Sequence, residues 1–141
     1  MYDKNTKFLV VDDFSTMRKI VKKMLNELGY TNIIESDDGK NALAIVNEEW
    51  AKKDPIQFVV SDWNMPNMTG LEFLKAIRGH TDYKLMPFML LTAESEQSQI
   101  IDAAKSGVSE YLIKPFTAAS LKSKVERVYA KNLAAGLVKA A

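Results

Sequence analysis

Three aspartates that each follow a short, mostly apolar segment are the residues of this chain best suited to bind a metal ion. Asp12 and Asp13 follow the segment 7–11, and Asp62 follows the segment 58–61. A carboxylate is costly to bury without compensation, and carboxylates that lie together repel one another. A hard divalent cation with oxygen ligands offsets both costs. The sequence therefore predicts a Mg²⁺ site formed by the three carboxylates.

A hydroxyl group and an amine end two later apolar segments in the same way. Thr92 closes the segment 88–92, and Lys114 closes the segment 111–114. Beside a metal held by carboxylates, both groups suit phosphoryl transfer, which is catalysed mainly by positioning and charge neutralisation. Asp62 is the expected nucleophile, because its strand is predicted to lie between the other metal ligands and Lys114.

The segments that carry these residues alternate with amphipathic segments along the chain. After the first strand, apolar residues from Met17 to Leu28 recur at the spacing of one helix face, and Gly29 ends the helix. Five such strand–helix units predict a single doubly wound, flavodoxin-like α/β domain, with a five-stranded parallel sheet of order 2-1-3-4-5 flanked by five helices. In that order the first and third strands are neighbours about 4.8 Å apart, so Asp13 and Asp62 can share one ion.

Length and composition limit the remaining possibilities. The 141 residues suffice for one domain, and we expect an N-terminal extension over residues 1–6, a folded domain over 7–131 and a C-terminal tail over 132–141. The net charge of +1 gives no reason to expect binding to nucleic acid, and the absence of cysteine excludes disulfides and thiolate chemistry. The sequence shows no signal peptide and no apolar segment near the roughly 20 residues of a membrane span. We therefore expect a cytoplasmic monomer that is not attached to a membrane.

Four segments of the sequence resemble a known family. They are Lys7–Arg18, Ser61–Met68, Thr92–Glu94 and Lys114–Ala119. Together they resemble the response regulatory (receiver) domains of two-component signalling, most closely those of chemotaxis, over about residues 5 to 131. The acid pair, the acceptor aspartate, the threonine and the lysine are shared by receiver domains generally. The stretches Asp-Phe-Ser-Thr-Met-Arg and Asp-Trp-Asn-Met-Pro are narrower and indicate the chemotaxis branch.

The resemblance assigns roles to the acidic residues. It implies that Asp62 accepts a phosphoryl group from a chemotaxis histidine kinase. It also implies that Mg²⁺ is bound by Asp13, Asp62 and the backbone carbonyl of Asn64, with Asp12 acting through water. Trp63, next to the acceptor, is expected to be a partly exposed loop residue that is useful as a fluorescent reporter.

The resemblance also implies how phosphorylation changes the protein. Thr92 and Tyr111 would form a switch pair, in which Thr92 moves toward the phosphoryl group and Tyr111 turns inward behind it. The Lys114–Pro115 peptide bond would be cis. The surface of the fourth helix, fifth strand and fifth helix would then bind the flagellar motor switch protein, and a dedicated phosphatase is a further candidate partner.

Two departures from the chemotaxis pattern leave the output of the protein open. Ser95, Glu96 and Gln97 stand where typical chemotaxis regulators carry lysines of the motor-binding surface. Glu110 stands where a small residue is usual, and it places another acid beside Tyr111. A receiver that acts as a phosphate sink, or on a partner other than the motor, is therefore an alternative.

Two functions from other classes are also compatible with the predicted fold. A small Mg²⁺-dependent phosphohydrolase with an aspartyl nucleophile often has a second acid two residues after the nucleophile. Here that residue is Asn64, which cannot act as an acid or a base, so we expect slow self-dephosphorylation and no enzymatic turnover of external substrates. A flavin-binding module would need small hydroxyl and glycine residues in the first loop, where Asp12 and Asp13 would repel a phosphate.

Overall fold

A computed structural model describes residues 1–93 and 97–136 of the chain. Within these residues, five parallel strands alternate with five helices. The sheet order is β2-β1-β3-β4-β5, which confirms the predicted doubly wound fold. No helix in the described ranges is both long and apolar enough to cross a membrane. The strands are β1 (Phe8–Val11), β2 (Ile33–Ser36), β3 (Phe58–Asp62), β4 (Phe88–Ala93) and β5 (Glu110–Lys114), and the helices are α1 (Ser15–Glu27), α2 (Gly39–Ala51), α3 (Gly70–Gly79), α4 (Gln97–Lys105) and α5 (Ala118–Ala134).

The two central strands that lead to the acidic residues are buried along their whole length. Every residue of β1 and β3 is buried, because helices cover both faces of the sheet. The register of the two strands pairs Val11 with Ser61. Asp12, which follows β1, therefore lies at the same edge of the sheet as Asp62, which ends β3.

Successive residues of the strands belong to two apolar layers on opposite faces of the sheet. On one face, Val10 lies in a layer with Leu25 of α1 and Val125 of α5. On the other face, Leu9 lies in a layer with residues of α2 and with Phe73 of α3. Because both faces are covered in this way, the polar residues of the central strands are confined to the strand ends.

The N-terminal end of the chain packs against the sheet and against α5. Tyr2 is buried, and its ring makes edge-on contacts with the rings of Phe58 and Tyr129. The side-chain amide of Asn132 donates to the hydroxyl of Tyr2 at 3.4 Å. The segment before β1 is thus packed against the end of α5.

Candidate functional site

The loops at the carboxyl ends of β1 and β3 bring the three aspartates together. One carboxylate oxygen from each of Asp12, Asp13 and Asp62 lies within 4.8 Å of the others. Asp12 and Asp62 are buried, with exposed fractions of 1% and 5%, whereas Asp13 is exposed. The cluster therefore joins two buried carboxylates to one that solvent reaches.

Asp12 has one paired and one unpaired carboxylate oxygen. The backbone N–H of Phe14 donates to Oδ1 at 2.9 Å, and the guanidinium of Arg18 donates to the backbone carbonyl of Asp12 at 2.6 Å. Oδ2 is buried and accepts no hydrogen bond within the described part of the chain, and Nζ of Lys114 is 4.0 Å away from it. Burial, opposed by the Phe14 N–H and reinforced by the charge of Asp62, raises the pKa of Asp12 to about 6. A cation beside Oδ2 would offset both the missing partner and the repulsion.

Asp62 is oriented by two donors that bind the same oxygen. Nζ of Lys114 lies 2.8 Å from Oδ1, and the backbone N–H of Trp63 donates to that atom at 2.9 Å. Among the described residues, no group donates to Oδ2 of Asp62. The lysine therefore balances the charge of the carboxylate and leaves its second oxygen available to react.

Thr92 and Tyr111 lie on the strands next to the acceptor strand. Asp62 pairs with Leu91, so Thr92 lies one residue further toward the carboxyl edge of the sheet. The hydroxyl of Thr92 is buried and has no hydrogen-bond partner in the ranges that the structure describes. Tyr111 is half-buried on β5, and Nζ of Lys124 lies 5.1 Å from the centroid of its ring. The structure thus provides an unpaired hydroxyl on the strand beside Asp62 and a tyrosine one strand further.

Helix α3 begins close to the end of β3. A Cβ atom at Gly70 would collide with the backbone carbonyl oxygen of Asp62, and the N–H of Gly70 donates to the carbonyl of Trp63 at 2.8 Å. The prediction that Trp63 is partly exposed was wrong, because its exposed fraction is only 8% and it belongs to the core layer that contains Phe73. The close approach of α3 covers the tryptophan, and the residues around Asp62 do not reveal this approach.

Asp38 and Asn67, which are not among the predicted site residues, hold the rest of the loop after β3. The side-chain amide of Asn67 donates to Oδ2 of Asp38 at 2.8 Å, and Oδ1 of Asp38 accepts the N–H of Asn41 as the N-cap of α2. The N–H of Asn41 and the amide of Asn67 hold the pKa of Asp38 below its usual range. Asn64 is exposed within the same loop. An aspartate followed by a helix-period segment is the sequence signal that could have identified the cap.

Two further expectations concern residues near the carboxyl ends of β4 and β5. The Lys114–Pro115 peptide bond is cis, as the resemblance implied. Ser95 and Glu96 lie outside the described residues, whereas Gln97 is the exposed first residue of α4. Of the segment that departs from the chemotaxis pattern, only Gln97 can therefore be placed.

The donor atoms of the aspartate cluster suit a magnesium ion. Mg²⁺ binds oxygen at about 2.0–2.1 Å in octahedral geometry, so its ligands are at most about 4.2 Å apart. Carboxylate oxygens that already lie within 4.8 Å of one another reach that spacing by small side-chain rotations. One of these carboxylates, that of Asp12, has a buried Oδ2 that lacks a hydrogen-bond partner in the described part of the chain. The residues present therefore fit Mg²⁺.

The fold and this arrangement of side chains define a class of protein. The family model described as response regulator receiver domain matches residues 8–126. The chain therefore belongs to the response regulator receiver family, as the resemblance predicted.

Within this class, the chain is similar to chemotaxis regulators. It is 50% identical over 127 residues to chemotaxis protein CheY-3 of Vibrio cholerae, with 90% of this chain and 94% of that protein covered. The structure of chemotaxis response regulator CheY4 of Vibrio cholerae matches with a TM-score of 0.75 and 35% identity, covering 88% of this chain and 98% of that one. A receiver domain of a Pseudomonas aeruginosa PAO1 sensor histidine kinase, solved with magnesium in its active-site cleft, matches with a TM-score of 0.75 and 25% identity, covering 89% and 98%. This chain is thus a CheY-like chemotaxis response regulator receiver domain.

Proposed function

We propose that this chain is a single-domain response regulator of chemotaxis that is phosphorylated on Asp62 by a histidine kinase in a Mg²⁺-dependent reaction. One observation carries the proposal. Lys114 and the N–H of Trp63 both bind Oδ1 of Asp62, so that Oδ2 is left without a donor in a cluster shared with Asp12 and Asp13. A carboxylate held in this way can act as a nucleophile through its free oxygen. The magnesium in the similar kinase receiver domain supports a metal ion at this cluster.

The acidic residues and the loop after β3 would hold the metal ion. Asp13, Asp62 and the backbone carbonyl of Asn64 are the proposed ligands, and Asp12 acts through water. When bound, Mg²⁺ neutralises charge on the phosphoryl group as it is transferred. The exposed position of Asp13 and Asn64 lets the ion enter from solvent.

The remaining residues of the site would bind and respond to the phosphoryl group. Oδ2 of Asp62 forms the new bond to phosphorus while the bond between phosphorus and the kinase histidine nitrogen breaks. Lys114, already 2.8 Å from the carboxylate, pairs with one phosphoryl oxygen. The unpaired hydroxyl of Thr92 donates to another, and Tyr111 turns inward behind it.

The proposal extends to the limits of the signalling unit and to its output. We assign the receiver unit to residues 7–131, and Tyr2 and Asn132 of the flanking segments 1–6 and 132–141 pack onto it. Asn64, two residues after the acceptor, is neither an acid nor a base, so self-dephosphorylation is slow and external substrates are not turned over. The phosphorylated surface of α4, β5 and α5 then binds a target such as the flagellar motor switch protein. A dedicated phosphatase would act on the same phosphorylated form.

Phosphorylation is tested by the mass of the intact protein after incubation with acetyl phosphate and Mg²⁺. The unaltered protein should gain one phosphoryl group, and Asp62→Asn should not. Asp82→Asn is the matched control, because Asp82 is an exposed loop aspartate and should leave the gain unchanged. The same stable mass gain in Asp62→Asn would refute the assignment of the acceptor.

The output is tested with the N-terminal peptide of the host's flagellar switch protein. Its affinity is measured with Mg²⁺ alone and with Mg²⁺ plus beryllofluoride, which mimics the phosphoryl group on Asp62. Tighter binding with beryllofluoride would support the motor as the target. If the fluorescence of Trp63 reports beryllofluoride binding but the peptide affinity does not change, the protein is a phosphate sink or acts on another partner.

A further inference from the structure

A charged cluster between β5 and α5 surrounds the tyrosine that the proposed function assigns to the switch. Glu110, the first residue of β5, is buried with an exposed fraction of 8%. Its Oε1 accepts from Nζ of Lys124 at 3.2 Å, and its Oε2 lies 3.6 Å from Nη1 of Arg127. The backbone N–H of Tyr111 also donates to Oε1, at 3.3 Å. Glu110 is thus a buried carboxylate whose charge is balanced by two cations of α5.

Lys124 connects this carboxylate to the ring of Tyr111. Its Nζ lies 5.1 Å from the ring centroid, which is within the range of a cation–π contact. A lysine side chain is long and flexible, and on an open helix face its ammonium extends into water. Here the side chain of Lys124 is only 24% exposed, because the ion pair with Glu110 holds it against the sheet. One ammonium group therefore makes both contacts, and loss of the ion pair would also weaken the contact with the ring.

We propose that Glu110 is a positioning residue that holds Lys124 over Tyr111 and so stabilises the resting position of the tyrosine ring. The inference rests on the proposed function in one respect, namely that the ring of Tyr111 moves on phosphorylation. Without the carboxylate, Lys124 moves into water, the ring loses its cation, and a larger fraction of molecules adopts the activated position. A cation–π contact at this exposure shifts such an equilibrium about two- to fivefold.

The test uses the full chain labelled with 3-fluorotyrosine and followed by fluorine NMR, with the Tyr111 resonance assigned from Tyr111→Phe. Glu110→Gln removes the charge at nearly constant volume. Lys124→Gln removes the ammonium and leaves Glu110 paired with Arg127, so it provides a folded variant even if Glu110→Gln is unstable. Without any phosphoryl mimic, both should move the Tyr111 resonance part of the way toward its beryllofluoride position. Lys122→Gln, at an exposed lysine of α5, is the matched control and should not move it.

A double variant distinguishes positioning from independent effects. Because Lys124 acts on the ring only while Glu110 holds it, Glu110→Gln with Lys124→Gln should move the Tyr111 resonance no further than either single change. Glu110→Gln, which changes a buried side chain, should also tighten basal binding of the switch peptide about two- to fivefold. A resonance that stays in place in both single variants would overturn the inference, as would an equal shift in Lys122→Gln or additive shifts in the double variant.

The same spectra separate this inference from the proposed function. If beryllofluoride binds but does not move the Tyr111 resonance of the unaltered protein, the switch role of Tyr111 fails. The comparison of Glu110→Gln with the unaltered protein then still decides whether the lysine holds the ring. If beryllofluoride moves the resonance and the two single variants do not, only the positioning role of Glu110 is refuted.

Discussion

The hydrogen bond between Asn67 and Asp38 should affect metal binding at a site to which neither side chain belongs. It is 2.8 Å long and joins the loop that carries Asn64 to the start of α2. Asn67 has a φ of +66°, a conformation that glycine adopts without strain. Asn67→Gly therefore removes the hydrogen bond and preserves the path of the backbone. The loop should then hold the backbone carbonyl of Asn64, a proposed metal ligand, less firmly.

The size of the effect follows from the contacts that remain. A hydrogen bond to a charged group contributes about 1.5–3 kcal/mol, and the exposure of Asn67 favours the lower end. The other end of the loop stays fixed, because the N–H of Gly70 still donates to the carbonyl of Trp63. We therefore expect about 1 kcal/mol of the loss to reach the metal site, which corresponds to about fivefold weaker Mg²⁺ binding. The pKa of Asp38 should rise as well, because the amide of Asn67 helps to hold it down.

Mg²⁺ affinity is measured from the fluorescence of Trp63 in a Trp50→Phe background, so that one tryptophan reports. Asp38→Ser removes the same hydrogen bond from its other side, because serine still caps α2 but is too short to reach Asn67. It should weaken Mg²⁺ binding by the same factor as Asn67→Gly, although the two changes are on different elements. Unchanged Mg²⁺ affinity in both variants would show that the loop is positioned without this hydrogen bond and would refute the reasoning.

For three other substitutions, the structure predicts the direction of the effect on stability or on Mg²⁺ binding. Gly70→Ala should lower the free energy of unfolding by about 1–3 kcal/mol, because its Cβ collides with the carbonyl of Asp62; urea titration with an unchanged midpoint would contradict this. Asp13→Ala should weaken Mg²⁺ binding more than Asn67→Gly does, since a hard oxygen ligand is lost, and equal Trp63 quenching by Mg²⁺ would count against that role. Lys7→Met should make stability less sensitive to acid. Nζ of Lys7 lies 3.0 Å from Oε1 of Glu49, and Lys7 and Lys52 hold the pKa of Glu49 in the folded protein below its ordinary value of 4.5. The ionised Glu49 therefore stabilises the fold above pH 4.5, and this stabilisation is lost as the pH falls through the lowered pKa. Urea midpoints measured between pH 5 and pH 3 should fall less in Lys7→Met, and an equal fall would exclude Glu49 as the source.

The fold was predictable because local patterns and tertiary structure agree along the central strands. Residues 8–11 and 58–60 are continuous apolar runs, and such runs are typical of strands buried on both faces. Alternation of strands and helices then restricts the sheet to a few strand orders. The convergence of Asp12, Asp13 and Asp62 follows from that order, because Asp62 ends β3 and Asp12 and Asp13 are the first two residues after the neighbouring β1.

The apolar faces of the helices were less predictable from spacing. Ile20 lies on the predicted stripe of α1 but is 42% exposed, and Ile101 of α4 is 55% exposed. On α4 the buried residue is Ala103, which a hydrophobicity pattern does not distinguish from its neighbours. The spacing of apolar residues predicts the buried face of a helix only to within about one residue. Which side chains are covered depends on how the helix packs on the sheet.

Contacts between residues that are distant in the chain could not be predicted. They include the hydrogen bond between Asn67 and Asp38 and the ion pair between Lys124 and Glu110. Asp38 and Asn67 are 29 residues apart, and Glu110 and Lys124 are 14 apart. Each pair depends on the angle at which a loop or helix meets the sheet. Side chains such as these have no local signal beyond their polarity, because aspartate, asparagine, glutamate and lysine are all mostly exposed in folded proteins.

The unpaired atoms of the site are the strongest physical indication that it is built for a ligand and not for the stability of the fold. Oδ2 of Asp12 and the hydroxyl of Thr92 are both buried and without hydrogen-bond partners in the described residues. An orphaned buried polar atom costs about 1–3 kcal/mol. If Asp12 only ended a strand, an apolar residue there would avoid that cost. The two atoms instead lie at the carboxyl ends of β1 and β4, the strands on either side of β3, where Asp62 presents an oxygen that no described group binds. A hydrated cation and a phosphoryl group would together satisfy all three, because water on the cation would donate to Oδ2 of Asp12, the phosphoryl group would bond to Oδ2 of Asp62, and one of its oxygens would accept from the hydroxyl of Thr92.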